Sequence, residues 1–184
     1  MRRAYLTLAV LPLVLTAGCG FFGASGDPDT KPTDVAASVT LTSPAFPDGS
    51  GIPTDFTCKG AGVSPPLAWS GVDASARSLA IVVTDPDASS RGFTHWVIFD
   101  IDPKTRSIAT DTVPPGARQA KNSAGRAAWT GPCPPSGTHH YVFTIYVLRS
   151  PTTLPDGADT DPVLRAITGK AVAKGVMTGT FSAG

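Results

Sequence analysis

The stretch YVFTIYVL, residues 141–148, decides the fold class of this chain. It is almost wholly apolar, is rich in β-branched and aromatic residues, and has the length of a buried strand. Two further runs have the same character: LAIVVT at residues 79–84 and HWVIFDI at residues 95–101. Because apolar side chains point to both faces of each run, we expect strands that are covered on both sides, as in the core of a β-sandwich.

Turn-forming residues fill the spaces between these runs. The 184 residues include 19 glycines and 18 prolines, and only 16% are charged, against an ordinary share of about 25%. The hydrophobic share of 41% is sufficient for a core. This composition excludes a coiled coil and a wholly disordered chain, and it favours one mostly β domain.

Shorter elements complete the predicted domain. A helix is predicted from Pro162 to about Lys174, with Asp161 as its N-cap and Gly175 just beyond its end. The shorter strand candidates are residues 39–41, 67–69 and 176–181.

The N-terminus has the layout of a targeting segment. Residues 1–18 combine two early arginines with an apolar run that is too short to cross a membrane, as in a secretory signal peptide. Residues 15–19, LTAGC, resemble a bacterial lipobox, which implies that Cys19 becomes the acylated first residue of the mature protein. Residues 19–38 are then the acylated cysteine and a flexible tether, and residues 39–184 are the folded domain. We therefore expect an exported lipoprotein, anchored to the outer face of the bacterial cell membrane by its lipid.

The charge of the chain excludes one class of partner. Two of the 15 basic residues lie in the leader, and the rest nearly balance the 14 acidic residues. A near-neutral domain lacks the basic surface that nucleic acid requires. We expect no nucleic-acid partner.

The three cysteines have an odd count that the lipid explains. If Cys19 is acylated, Cys58 and Cys133 remain as an even pair, and disulfides persist in exported proteins. This favours a Cys58–Cys133 disulfide. The alternative is two separate thiols, one of them a nucleophile or a metal ligand.

Polar residues lie at one end of each long run. Asp85 directly follows the first run, His95 begins the second, and His139 precedes the third, in phase with Tyr141. Strict alternation also places His95 in phase with Val97, Phe99 and Ile101. A carboxylate on the same face as core residues is destabilising unless it accepts a hydrogen bond. Either these are separate polar strand ends that meet water, or they line one pocket.

A shared pocket of this kind suits a small anion of the phosphoryl or acetate type. Imidazolium and phenolic O–H groups donate to anionic oxygens, and a carboxylate can hold an imidazole in one tautomer. The turn GPCPPSG, residues 131–137, is stiffened by its prolines and is expected to form a rim, with Pro134 in it.

Four motifs occur in order along the chain: SPPLAW at 64–69, DPDA at 85–88, HWV at 95–97 and CPPSGTHHY at 133–141. Together they resemble the phosphatidylethanolamine-binding protein (PEBP) family, in its bacterial YbhB/YbcL, Raf-kinase-inhibitor-like branch. The resemblance extends from about Leu41 to the C-terminus. It implies a β-sandwich of antiparallel sheets with a few short peripheral helices, and a small pocket that accepts phosphate, acetate or a phosphoethanolamine head group.

The resemblance also implies the site residues. It assigns ligand binding to Asp85, His95, Pro134, His139 and Tyr141. The chain departs from the family pattern at Ser89, where proline is usual, and at His140, where arginine is usual. An arginine is always charged, whereas a neutral histidine is not, so an ion pair made by the family arginine is not expected here.

A binding function is therefore predicted, without a cofactor or a metal. No G-x-S-x-G motif is present, and no H-E-x-x-H or Cys–His spacing supports a metal site at Asp85, His95 and His139. Family members are mostly binders and inhibitors, so we expect no enzyme. The predicted ligand is a small anion of the phosphate or phospholipid head-group type. The alternative is a protein-interaction module that inhibits a protease or a kinase-type partner through its surface.

Overall fold

Two antiparallel sheets form most of the structure, a computed structural model in which residues 39–183 are described. The predicted signal peptide, the acylated Cys19 and the tether to residue 38 lie outside the described residues. Within the described part, no helix has the length and apolar character needed to span a membrane.

The larger sheet has five strands in the order β6-β4-β3-β7-β8, and the smaller has three in the order β1-β2-β5. The three long apolar runs of the sequence form the adjacent strands β4, β3 and β7 of the larger sheet. The strands are β1 (Thr40–Thr42), β2 (Leu67–Ser70), β3 (Ser78–Asp85), β4 (Phe93–Ile101), β5 (Ser107–Ile108), β6 (Arg118–Gln119), β7 (Thr138–Leu148) and β8 (Ala171–Ser182).

The main core lies between the two sheets, as expected for a sandwich. Each sheet contributes large buried side chains to it: Leu41, Leu67 and Trp69 from the smaller sheet, and Ile81, Trp96, Phe143 and Ile145 from the larger. The fold is therefore mostly β with two packed antiparallel sheets, as predicted.

One α-helix, α1 (Thr160–Lys170), covers the other face of the larger sheet, and one 3-10 turn (Thr54–Phe56) precedes β2. Val163 and Ile167 of α1 are wholly buried, one turn apart, in a second core cluster with Val97 and Phe99 of β4. This second layer explains why β3 and β4 are apolar on both faces.

The prediction that β7 is covered on both sides holds for only one of its faces. Tyr141 and the alternate residues after it are wholly buried between the sheets, whereas Val142, Thr144 and Tyr146 on the other face are half-buried. The buried residues of the helix share one cluster with residues of β3 and β4, and Leu148 is the β7 residue that is wholly buried in this cluster. The far side of β7 is thus partly open.

The predicted helix boundaries are wrong at both ends. The helix begins at Thr160, with Asp159 rather than Asp161 at the N-cap, and it ends at Lys170 rather than at Lys174. From Ala171 onward the backbone pairs with β7, so sheet pairing over twelve residues prevails over local helix propensity.

Candidate ligand-binding site

A cavity of about 240 Å³ opens where β3 ends and where β4 and β7 begin. Antiparallel pairing brings these three strand ends to the same edge of the sheet. The cavity is lined by all five residues that the sequence singles out, Asp85, His95, Pro134, His139 and Tyr141, together with Ala88, Phe93, Thr130, Gly131, Cys133 and Pro135.

The Asp85 carboxylate is only 2% exposed and is held by two main-chain donors. Its Oδ1 accepts the N–H of Asp87 at 2.8 Å and the N–H of Ala88 at 3.1 Å. This local turn is typical of aspartate followed by proline, since the side chain bonds the backbone two residues on. The DPDA motif thus supplies the donors that make a buried carboxylate tolerable.

The second oxygen of Asp85 holds the ring of His139. Nδ1 of His139 lies 2.7 Å from Oδ2 of Asp85. A carboxylate held by backbone donors only accepts, so Nδ1 donates and carries a proton. The other ring nitrogen, Nε2, takes no part in this pair.

His95 is 5% exposed, and its ring is held by a main-chain carbonyl. Its Nδ1 donates to the Thr130 oxygen at 2.6 Å, because a carbonyl oxygen can only accept. Burial lowers the pKa of His95 below its ordinary value, and this effect exceeds the opposing effects of the Thr130 hydrogen bond and the Asp85 charge. The neutral ring therefore keeps its proton on Nδ1 and leaves Nε2 unprotonated.

A β-bulge directs His95 into the cavity, and the predicted alternation along β4 is wrong at this point. Val83 of β3 pairs with Trp96, but Thr84 pairs with Thr94, so His95 is an extra residue in β4. A bulge of this kind re-aims one side chain out of phase with its strand. The His95 ring consequently lies 5.1 Å from the ring of Tyr141 between the sheets.

A second β-bulge near the end of β4 returns the last residue of the strand to the face that His95 occupies. Val97 and Phe99 pack beneath α1, whereas Ile98 and Ile101 lie in the core between the sheets. The extra residue falls near Asp100, whose φ of 56° is in the left-handed region. His95 and Ile101 therefore share a face with each other but not with Val97 and Phe99.

Tyr141 forms the floor of the cavity. Its side chain is wholly buried, and its hydroxyl finds no hydrogen-bond partner among residues 39–183. Burial, with a smaller contribution from the Asp85 charge, raises the pKa of this hydroxyl. The phenol is thus a protonated donor whose hydrogen-bonding capacity is unused.

The rim of the cavity is tied down by a disulfide. Cys58 and Cys133 are bonded, with their Cα atoms 5.4 Å apart, as the odd cysteine count predicts. The N–H of Cys58 also donates to the carbonyl of Pro132 at 3.1 Å. The alternative of two free thiols is therefore wrong, and the segment that carries Pro134 is fixed to the 3-10 region.

His140 does not line the cavity. Its main-chain N–H and its Nδ1 both lie 2.8 Å from one oxygen of Asp87, on the exposed side of β7. These hydrogen bonds lower the pKa of the Asp87 carboxyl. The residue that replaces the usual family arginine thus makes a second aspartate–histidine pair, outside the pocket.

The residue that stabilises the loop beside His95 is not predicted by the sequence. Asn122 is buried, and its amide donates to the carbonyl of Ala128 at 2.7 Å and to Oγ1 of Thr130 at 2.8 Å. It thereby fixes the loop whose Thr130 carbonyl holds His95. The sequence carries no signal for this, since the acceptor is a main-chain atom. Phe93 was also missed, because β4 begins two residues before His95.

The charge of the cavity is unusual for an anion site. No lysine or arginine of the described chain is among its lining residues, and Asp85 is its single carboxylate. In the same part of the chain, no three histidine, cysteine or acidic side chains are grouped in a way that could hold a metal ion.

Comparisons with known proteins agree with this geometry. Residues 42–182 match the family model of the phosphatidylethanolamine-binding protein. Over 198 aligned residues the chain is 40% identical to a Mycobacterium tuberculosis protein named "Putative lipoprotein LppC", covering 98% of this chain and 97% of that protein.

Two crystal structures have the same fold. CT736 of Chlamydia trachomatis has a TM-score of 0.75 at 32% identity, covering 81% of this chain and 100% of its own. YbcL of E. coli, described as a member of the mammalian PEBP family, has a TM-score of 0.75 at 28% identity, covering 80% and 100%. The four motifs, the sandwich and these matches agree, and the chain belongs to the phosphatidylethanolamine-binding protein family.

Proposed function

We propose that this protein is an exported, lipid-anchored binding protein that holds a small anion of the phosphate or phospholipid head-group type in the cavity at the strand ends. The observation that carries the proposal is the convergence of Asp85, His95, His139 and Tyr141 on one hollow, with Pro134 at its rim. These residues come from three strands and from the turn that precedes β7.

The size of the cavity supports a small ligand. Its volume of about 240 Å³ is below the range of roughly 300–1,000 Å³ that drug-sized ligands occupy. A head group fits this volume better than an acyl chain does. Inorganic phosphate and the phosphoryl part of a lipid share the chemistry, so both are candidate sources of the anion.

Each residue has a distinct part in this proposal. Nε2 of His139 is the main contact to the anion, and Asp85 is a positioning residue that fixes the imidazole by its bond of 2.7 Å. The unpartnered hydroxyl of Tyr141 supplies a donor from the floor. Pro134 and the disulfide keep the rim rigid.

Catalysis is not part of the proposal. Proteins of this family are in general binding proteins rather than enzymes. The residues that line the cavity include no serine, the Cys133 sulfur is in a disulfide, and Oγ1 of Thr130 is held by Asn122 and Arg126. A serine, threonine or cysteine nucleophile needs activation by an adjacent base or by a lowered pKa.

The membrane location is proposed from the N-terminal sequence. The lipobox-like LTAGC at residues 15–19 supports acylation at Cys19, and the name of the M. tuberculosis relative describes a lipoprotein. Two or more acyl chains hold a protein to a bilayer far better than one does.

Calorimetric titration with phosphoethanolamine tests the binding function. We expect His139→Gln to weaken binding by about tenfold to a hundredfold, since a hydrogen bond to a charged group contributes roughly 1.5–3 kcal/mol. His140→Gln is the matched control, because His140 is the adjacent histidine and lies outside the cavity. Equal affinity of His139→Gln and the wild type would refute the pocket and favour inhibition through the surface.

A further inference from the structure

The hydrogen bonds around the cavity constrain how an anion can bind. We infer that an oxyanion enters this cavity together with a proton, and that the proton is taken up by Nε2 of His139. This inference rests on the proposed function, and it concerns the proton balance of the same site.

The ring nitrogens of His95 and His139 limit how an anion can be held. Nδ1 of His95 donates to the Thr130 carbonyl, and Nδ1 of His139 donates to the Asp85 carboxylate. A neutral imidazole carries one proton, so in both neutral rings Nε2 is an acceptor. The oxygens of an anion are acceptors as well. Without a further proton, the side-chain donors of the cavity lining are the hydroxyls of Tyr141 and Thr130, and Oγ1 of Thr130 is already held by Asn122 and Arg126.

The charge of the cavity wall also opposes a bound anion. Asp85 places a negative charge at the cavity wall, and no lysine or arginine of the described residues lines the cavity to offset it. An anion that entered beside two neutral imidazoles would meet a buried carboxylate of the same sign. Protonation of one imidazole removes this repulsion and converts an acceptor into a charged donor.

The charged groups around His139 come from each neighbouring strand. Asp85 at the end of β3 is in direct contact, and Asp87 beyond it is paired with His140. On the β8 side, His139 pairs with Phe181, and the ammonium of Lys59 lies 5.9 Å from the centre of the Phe181 ring. Of these groups, only Asp85 accepts a hydrogen bond from the His139 ring.

His139 rather than His95 is the proton acceptor. An imidazolium at His139 forms an ion pair with Asp85 across 2.7 Å. His95 has a neutral carbonyl as its partner and is 5% exposed, and its burial disfavours the charged form. Both oxygens of Asp85 already have donors, since Oδ1 accepts two main-chain N–H groups and Oδ2 accepts from His139.

Titration with sulfate tests the inference in the wild-type protein. Sulfate carries no proton near neutral pH, so any proton that accompanies it is taken up by the protein. Calorimetry at about pH 7.5 in buffers of different ionisation enthalpy should give an uptake close to one proton per sulfate bound, and the affinity should fall by up to about tenfold per pH unit as the pH rises. Binding with no proton uptake and no pH dependence would overturn the inference and leave the proposed function intact.

Two variants locate the proton. His140→Gln should keep the uptake, and His139→Gln should abolish it while any residual sulfate binding becomes independent of pH. If proton uptake disappears in His140→Gln but persists in His139→Gln, the proton is bound by His140 on the exposed face of β7. That result would overturn the inference. If neither sulfate nor phosphoethanolamine binds at about pH 5.5, where the imidazole is more readily protonated, the proposed function itself fails.

Discussion

Removal of the Tyr141 hydroxyl should have opposite effects on the stability of the free protein and on ligand binding. The hydroxyl is wholly buried and has no hydrogen-bond partner among the described residues. Tyr141→Phe removes one oxygen and leaves the ring packed against His95 and the core. We therefore expect the free protein to become more stable and ligand binding to become weaker.

The magnitudes follow from the two environments of the oxygen. An unpaired buried hydroxyl costs about 1–3 kcal/mol on the scale of protein mutations. Since phenylalanine fills nearly the same space, we expect the free energy of unfolding to rise by about 1 kcal/mol, or about 3 °C in Tm for a domain of this size. In the complex the hydroxyl donates to an anionic oxygen, and its loss should cost about 1.5–3 kcal/mol of binding free energy, roughly tenfold to a hundredfold in Kd.

Thermal unfolding without ligand and calorimetry with phosphoethanolamine measure the two effects separately. Tyr146→Phe is the matched control, since it makes the same chemical change on the opposite, half-buried face of β7, away from the cavity. We expect it to leave affinity unchanged. A Tyr141→Phe variant that is less stable than the wild type would show that the hydroxyl has a partner in the free protein. Unchanged affinity would show that it does not contact the anion.

Three further predictions concern the framework and the anchor. Replacement of both Cys58 and Cys133 by serine should lower the unfolding free energy by up to about 4 kcal/mol in chemical denaturation, since the bond closes a loop with a sequence separation of 75; a loss near zero would contradict this. Gly175→Ala should destabilise by about 1–3 kcal/mol, because its Cβ would clash with the main-chain oxygen of Val39, whereas Gly169→Ala in α1 meets no atom within 4 Å and should stabilise by up to about 1 kcal/mol; a melting temperature equal to that of the wild type would contradict either expectation. Cys19→Ser should move the protein from the membrane pellet to the soluble fraction, and retention in the pellet would argue against a lipid anchor.

Much of the fold follows from local pattern. The runs at 79–84, 95–101 and 141–148 are apolar enough to predict β3, β4 and β7, and alternation along β7 correctly puts His139 on the face of Tyr141. The disulfide is predicted by the even number of cysteines that remain once Cys19 is set aside, together with the expected export of the chain. These features depend on properties that each segment carries by itself.

The missed features depend on distant partners. Strict alternation fails at His95 because the bulge is defined by its pairing with β3 and not by the composition of β4. The sequence predicts a helix to Lys174 because nothing local indicates that the residues after Lys170 pair with β7. The support of His95 by the Thr130 carbonyl is invisible for the same reason, since every residue has such an atom.

The central claim is that His95 and His139 face a bound anion together while His140 does not. Nitrogen-15 NMR of the imidazole rings during titration with phosphoethanolamine tests it directly, because these are the chain's three histidines. We expect the ring nitrogens of His95 and His139 to shift in proportion to occupancy and those of His140 to stay unchanged. Saturable binding that shifts His140, or that leaves all three rings unchanged, would contradict the claim.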